Sequence, residues 1–358
     1  MSQEQFSTLL LGWYDQNARE MPWRWSPQDI TRGIKPDPYK VWLSEVMLQQ
    51  TMVKVVIPYY LKFVNRWPDI YSLAHADLDD ILKEWAGLGY YSRARNLHSC
   101  AKKIVDCYGG SFPNTDKELR SLPGIGTYIA SAIRAIAFCQ PATVIDGNIE
   151  RVITRLFAIQ SPQAQAKKLI RKQAEKLTPT TRPGDYAQAL MDLGATLCRP
   201  RSPLCFKCPL RLCCQAFQKG VQDEIPQPRK RNHIPTRSGT MLVVLNQNNC
   251  LLVERRPEGG LLGGTMGWPG YGWEPNKDKQ SLPIENPVAI PGHVQHTFSH
   301  FQAQIKVQIG QIDVEYCLSD GYRLIPLDTF DPQSMPTLMR KVYDHVQSYW
   351  TQNTLAKK

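Results

Sequence analysis

From residue 4 to about 217 the apolar residues recur at intervals of three and four, the spacing of amphipathic helices. Asp37 and Pro38 predict a capped helix start, and Tyr39, Trp42, Leu43, Val46 and Met47 form the apolar stripe behind them. Thr115-Asp116-Lys117-Glu118 reads as a capping box opening a short helix that ends near Leu122. Pro123-Gly124-Ile125-Gly126 follows, then an apolar helix from about Thr127 to Phe138. Two helices joined by a tight glycine turn predict a helix–hairpin–helix. Asp146-Gly147-Asn148 precedes another striped helix, carried by Ile149, Val152, Ile153 and Leu156.

The pattern changes at about 218. Pro226, Pro228 and Pro235 share the next stretch with Arg229, Lys230, Arg231 and Arg237, and prolines with like charges resist packing. An extended linker is therefore expected over 218–238. Beyond it, Met241–Leu245 and Cys250–Arg256 read as strands around an Asn-rich turn, and Ile305, Val307 and Ile309 alternate as strand residues do. A helix from about Met335 to Trp350 closes the pattern. The expected architecture is a mainly α domain over 1–217, the linker, and an α+β domain over 239–352.

The length of 358 residues suits two or three domains, each able to bury a core. A hydrophobic share of 42% with 21% charged residues argues against wholesale disorder. Forty-three basic against 32 acidic residues leave a net charge of +11, a first sign of a polyanionic partner. No apolar stretch approaches the roughly 18–20 residues that cross a bilayer. The first residues lack the basic and apolar regions of a secretory signal, so an intracellular protein with no membrane partner is expected.

Ten cysteines in such a chain are poorly explained by disulfides. Cys100, Cys107, Cys139, Cys250 and Cys317 are scattered among apolar residues and are expected as inert core thiols. Cys198, Cys205, Cys208 and Cys214 are different. Their C-x6-C-x2-C-x5-C spacing lets four thiolates wrap one compact centre, either zinc or an iron–sulfur cluster. Cys213 falls off that spacing and reads as a spare thiol. Arg199, Arg201, Lys207 and Arg211 lie between the ligands and are expected to contact phosphates. Gly124 and Gly126 permit close backbone approach, and the following helix start offers N–H groups to a phosphate. Asp146 reads equally as a simple helix cap or as a functional carboxylate.

Hairpin, Asp-Gly-Asn and cysteine loop together, with Met21-Pro22-Trp23-Arg24, Ser44 to Thr51 (SEVMLQQT), Gly87 to Arg93 (GLGYYSR), Leu122 to Tyr128 (LPGIGTY), Val144 to Asn148 (VIDGN) and Phe298-Ser299-His300, resemble the MutY-type adenine DNA glycosylases of the helix–hairpin–helix, endonuclease III superfamily. The resemblance covers essentially the whole chain. It implies a [4Fe–4S] cluster on Cys198, Cys205, Cys208 and Cys214. It implies that Glu45, kept protonated by apolar neighbours, protonates N7 of adenine, while Asp146 stays ionised at a helix N-terminus and stabilises the oxocarbenium sugar. Tyr128 and Asn148 would position Asp146 and the water. Tyr128 also stands where endonuclease III carries the lysine of its Schiff base; a phenol forms no imine, so an intact abasic product is expected.

The same resemblance places Gln50 and Tyr90 beside the base opposite the target, with Thr51 and Leu88 touching it, because a duplex base must be flipped out to be reached. It makes the second domain Nudix-like. Between Pro257 and Gly292 the only glutamates are Glu258, Glu274 and Glu285, with no R-E-x2-E-E box, so this domain is expected to bind and not hydrolyse. Ser299, flanked by Phe298 and His300, would test the N7–H/O8 edge of 8-oxoguanine. The implied partner is double-stranded DNA holding an A:8-oxoG or A:G mispair, bound by a monomer. Two alternatives stay open here: a bifunctional glycosylase/lyase, and an inactive iron–sulfur DNA-binding protein. The chain departs from the family in a longer 25–37 spacer, in Asp192 where glutamate is commoner, and in Met266-Gly267-Trp268-Pro269-Gly270 for a Trp-Glu-Phe-Pro-Gly pattern.

Overall fold

The computed structural model describes residues 2–161, 163–227, 234–274, 282, 284–312 and 321–355. They form two units, one of Met1–His75 and Asn96–Lys230, the other of Ala76–Arg95 and Arg231–Lys358. No described helix is long and apolar enough to cross a membrane.

The first unit is helical. The helix Pro38–Leu48 starts where the sequence predicts, with the Asp37 carboxylate accepting from the Tyr39 N–H. Pro38 suits that first turn because its missing N–H would have no partner there. Val41, Trp42, Leu43 and Met47 bury its inner face. Thr115 caps a helix of Asp116–Arg120, ending two residues earlier than expected. The hairpin turn then depends on Gly124, whose φ is +75° and where a Cβ would lie 2.9 Å from that of Asn96. The helix Thr127–Ile136 begins directly after Gly126, and Asp146 caps the helix Gly147–Leu156 through the Ile149 N–H.

Asp192, on the helix Pro183–Thr196, is fully buried yet charged. Arg19 reaches it at 2.6 Å and Arg24 at 2.8 Å, and the Arg19 backbone N–H adds a bond at 3.0 Å. A carboxylate in this position is tolerable only because each oxygen is answered by a cation or an N–H.

The second unit is built on one eight-stranded mixed sheet: β1 (Thr236–Leu245), β2 (Cys250–Arg255), β3 (Met266–Gly267), β4 (Gly270–Tyr271), β5 (Glu285–Ala289), β6 (Val294–Thr297), β7 (Gln302–Gln311) and β8 (Tyr322–Pro326). The main order is β3-β2-β1-β7-β5, with β4 on β1, β6 on β7 and β8 on β2. The central pair, β1 and β7, runs parallel in register from Thr236↔Gln302 to Leu245↔Gln311. That long pairing draws the chain into the sheet at Thr236, inside the stretch expected as linker. Residues 228–233, with Pro228 and Arg229 to Arg231, lie outside the described residues, as does Cys317. One sheet face packs on the helix Thr337–Leu355 through Met339, Val342 and Val346, and the Trp268 indole donates to the Met339 carbonyl at 2.8 Å.

Residues 76–95 group with this sheet and not with the helices flanking them in sequence. Asp79, at the start of the helix Leu78–Glu84, pairs with Arg255 and Arg323, and Arg95 donates to the Gly263 carbonyl. The helical run expected up to 217 is thus divided between two units. The scattered cysteines also depart from expectation. Cys100 is buried, but Cys107 and Cys139 are exposed and Cys250 is half-buried. Cys107 sits at the outward end of the helix Ser92–Tyr108, and Cys139, at φ +52°, lies in the turn after a helix.

The buried carboxylate yields a test. Replacing Asp192 by Ala strands Arg24 without its counter-charge and should lower the unfolding free energy by about 3 kcal/mol in urea titration, the scale of breaking a buried pair. A change under about 0.5 kcal/mol would mean that the pair merely decorates the packing.

Candidate active site

Two carboxylates lie in the first unit, each delivered by a helix. Glu45 is on the inner face of Pro38–Leu48 and only 6% exposed. The Tyr128 hydroxyl, one residue into its own helix after the hairpin, donates to Glu45 Oε2 at 2.7 Å. Burial raises the Glu45 pKa from 4.5 to about 7, opposed by that hydrogen bond and the Arg24 charge and reinforced by the charge of Asp146. The carboxyl is therefore poised as a proton donor near neutrality. Burial, and after it the negative charges of Glu45 and Asp146, raises the Tyr128 phenol well above its ordinary value, so it stays a donor.

Asp146 is half-buried. Its Oδ1 accepts from the Ile149 N–H at 2.7 Å and its Oδ2 from Asn148 Nδ2 at 3.0 Å. Desolvation raises its pKa, opposed by these bonds and by Arg151. Burial thus works against the charged form that a helix N-terminus favours, and the bonds from Asn148 and Ile149 work for it. Of the two residues expected to position Asp146, Asn148 bonds it directly, whereas the Tyr128 hydroxyl bonds Glu45 and feels the charge of Asp146.

Three arginines to which the sequence reading gave no role complete the arrangement. Arg24 couples the buried Asp192 to the electrostatics of Glu45. Arg151 donates to Asn148 Oδ1 at 2.9 Å, to the Gly194 carbonyl at 2.7 Å and to the Cys198 carbonyl at 2.7 Å. Arg155, 2% exposed, donates to the carbonyls of Arg199, Pro200 and Ile225 and approaches Cys198 Sγ at 3.4 Å. The available signal was a pair of charged residues four apart, set inside an otherwise apolar stripe. Gly194 is required for close helix packing, since a Cβ there would lie 2.6 Å from that of Asn148.

Cys198, Cys205, Cys208 and Cys214 line one small cavity with Arg155 and Phe217. Among the described residues no group of three or more metal-ligating side chains stands in a metal-holding arrangement. The chemistry of the four cysteines still fits a cationic centre. Burial pushes Cys208 up to about 12, and a thiolate at Cys198 would raise Cys205, Cys208 and Cys214 further. Four such thiols ionise together only when a metal replaces their protons. Cys213 lies off this cavity, its Sγ 3.1 Å from the Leu210 carbonyl.

Gln50 is exposed at φ +57°, just past the Glu45 helix, and the Thr51 hydroxyl donates to the Gln49 carbonyl. In the second unit Tyr90 is 40% exposed, whereas Leu88, expected at the opposing base, is buried at 5%. Tyr90 and Ser299 hydrogen-bond through their hydroxyls, and both line a cavity of about 340 Å³ with His296 and His300. Phe298 stacks between Trp273 and Phe301, which makes it the anchor of the loop that exposes Ser299 and His300. Glu274 is committed to Arg256.

The pKa of Glu45 carries a stability consequence with a definite sign. A carboxyl raised on folding contributes fully below its unfolded value of 4.5, and the contribution is lost as pH climbs through about 7. Glu45→Gln, neutral throughout, should be the more stable protein at pH 8 by up to about 3 kcal/mol, with the gap closing by pH 4. Denaturant titrations at the two pH values measure it; a gap independent of pH would contradict the buried acid.

Known proteins match this arrangement. Residues 43–180 match the family described as HhH-GPD superfamily base excision DNA repair protein, and residues 240–345 match the NUDIX domain. The adenine DNA glycosylase of Homo sapiens is 35% identical, over 94% of this chain and 73% of that protein. That of Buchnera aphidicola subsp. Baizongia pistaciae is 33% identical over 97% and 98%. A solved thermostable thymine-DNA glycosylase is 28% identical with a TM-score of 0.53, covering 61% of this chain and 97% of its own. With Glu45, Asp146 and the cysteine loop in one helical unit and a NUDIX sheet in the other, the chain belongs to the adenine DNA glycosylase family.

Proposed function

We propose that this glycosylase removes adenine from A:8-oxoG and A:G mispairs in intracellular double-stranded DNA, working as a monomer and leaving an intact abasic site. The observation that carries the reading is the buried Glu45 carboxyl, raised to about 7 and bonded by Tyr128, within the field of a second carboxylate at Asp146. Cleaving a base from its sugar requires a proton on the leaving group and a negative charge beside the developing oxocarbenium ion. Glu45 keeps a proton near neutral pH and gives it to N7 of the flipped adenine, which then leaves as a neutral base. Asp146, held by Asn148 and the Ile149 N–H, supplies the facing charge, and water adds to the sugar carbon. Two carboxyl groups tuned to different protonation states are the familiar division of labour for such a reaction. Tyr128 stands where a lyase would need an amine, so the strand stays whole.

Around this centre, Gly124, Gly126 and the N–H groups that open Thr127–Ile136 bind a phosphate, and Arg199, Arg201, Lys207 and Arg211 contact the backbone. Cys198, Cys205, Cys208 and Cys214 would hold a [4Fe–4S] cluster, which when bound fixes the course of that basic loop. Gln50 and Thr51 serve the opposing base from the first unit. In the second, the Ser299 hydroxyl, donor and acceptor at once, reads the N7–H/O8 edge of 8-oxoguanine, with Tyr90 bonded to it and Phe298 and His300 flanking. The NUDIX sheet carries no acidic box and acts as a reader.

A labelled duplex with one A:8-oxoG pair tests the reaction. The expected result is a break only after hot alkali, abolished by Glu45→Gln and lowered at least a hundredfold by Asp146→Asn, the usual yield of a placed acid or base. Strand cleavage without alkali would overturn the assignment of Tyr128. Metal analysis tests the loop: purified protein should hold four irons per chain with a broad visible absorption, lost together on Cys208→Ser, whereas one zinc and no iron would replace the cluster by a structural ion.

A further inference from the structure

The segment Gly87–Arg93 has a backbone that cannot hold itself. Gly87 and Gly89 lie at φ +109° and +71°, and Tyr90 at +48°, a region that a tyrosine occupies only when its surroundings impose it. The surroundings converge on Arg93. This residue is 8% exposed, and a single guanidinium nitrogen donates to the Leu88 carbonyl at 3.0 Å and to the Gly89 carbonyl at 3.2 Å. The flat cation lies 5.2 Å from the centre of the Trp85 ring and 5.6 Å from that of Tyr90. The Trp85 indole adds its own bond to the Gly89 carbonyl at 3.0 Å, and the Arg93 N–H closes the turn on the Tyr90 carbonyl at 2.8 Å. Burial lowers the Arg93 pKa to about 10, which leaves it a cation at neutral pH.

We propose that Arg93 is a positioning residue for lesion recognition: it clamps the 88–89 carbonyls and the Tyr90 ring so that the Tyr90 hydroxyl is held at Ser299 before DNA arrives. The proposal rests on the reading that Ser299 and Tyr90 sense 8-oxoguanine. Its chemistry is particular to a guanidinium. Two carbonyls of a left-handed turn aim at one place, and only a planar cation answers both while stacking on aromatic faces. A lysine supplies the charge without the flat face. The clamp sits inside the second unit.

The test uses the full chain in a Glu45→Gln background, which keeps the duplex uncleaved, and reads the ratio of Kd for A:G over A:8-oxoG duplexes. Ser299→Ala reports on the underlying reading and should lose most of the preference. Arg93→Gln and Arg93→Lys should each lower it roughly tenfold, the size of one displaced charge-assisted contact. In a Tyr90→Phe background, which already lacks the hydroxyl, Arg93→Lys should lower it no further. If Ser299→Ala abolishes the preference and Arg93→Lys leaves it intact, the clamp is overturned and the reading stands. An equal loss of affinity for both duplexes, or an undiminished effect of Arg93→Lys in the Tyr90→Phe background, makes Arg93 a packing residue and also overturns it. A preference that survives Ser299→Ala overturns the reading of this cavity, and the proposal with it.

Discussion

The withdrawal of Glu45 from water is the constraint on which the rest of the first unit turns. A carboxyl on the inner face of an apolar helix is unfavourable as an anion, and its protonated form is what an acid catalyst requires. Every neighbouring device adjusts that one quantity. The Tyr128 hydroxyl and the distant charge of Arg24 pull the pKa down, and Asp146 pushes it up. Arg24 is itself restrained by Asp192, so a buried carboxylate far along the chain helps to set the acidity of Glu45.

Asp146 answers the same problem by the opposite route. It meets desolvation with hydrogen bonds, one from the backbone of its own helix and one from Asn148. Asn148 is in turn held by Arg151, which also grips the backbone at Gly194 and Cys198. The cysteine loop and Asp146 thus share one arginine, reached on the Asp146 side through Asn148. Rigidity at one is felt at the other, which gives the loop a structural claim on the site whatever centre its thiols hold.

Much of this was legible in the sequence, and the boundary follows physical lines. Local rules found what local forces decide: the Asp37-Pro38 start, the Gly124 turn and the Asp146 cap. The apolar neighbours of Glu45 announced its burial. What escaped were pairings set by tertiary packing, which have no local signature. The Tyr128 hydroxyl turned to Glu45 and not to Asp146, and Asp192 gathered Arg19 and Arg24. Periodicity cannot assign a short stretch to a unit, so 76–95 read as part of the helical domain. Nor does an apolar neighbourhood in sequence place a thiol in a core, as Cys107 and Cys139 demonstrate.

That division of the chain bears on how the protein comes to be made. Residues 76–95 leave the ribosome well before the strands they belong with, since β1 begins only at Thr236. Domains generally fold as they emerge, amino-terminal first. Here an early segment gains two of its partners late, Asp79 at Arg255 and Arg95 at Gly263, once most of the polypeptide exists. A molecule interrupted during translation, or shortened at the linker, therefore retains Glu45 and Asp146 in its sequence while leaving the Trp85–Arg93 turn without the sheet it is grouped with.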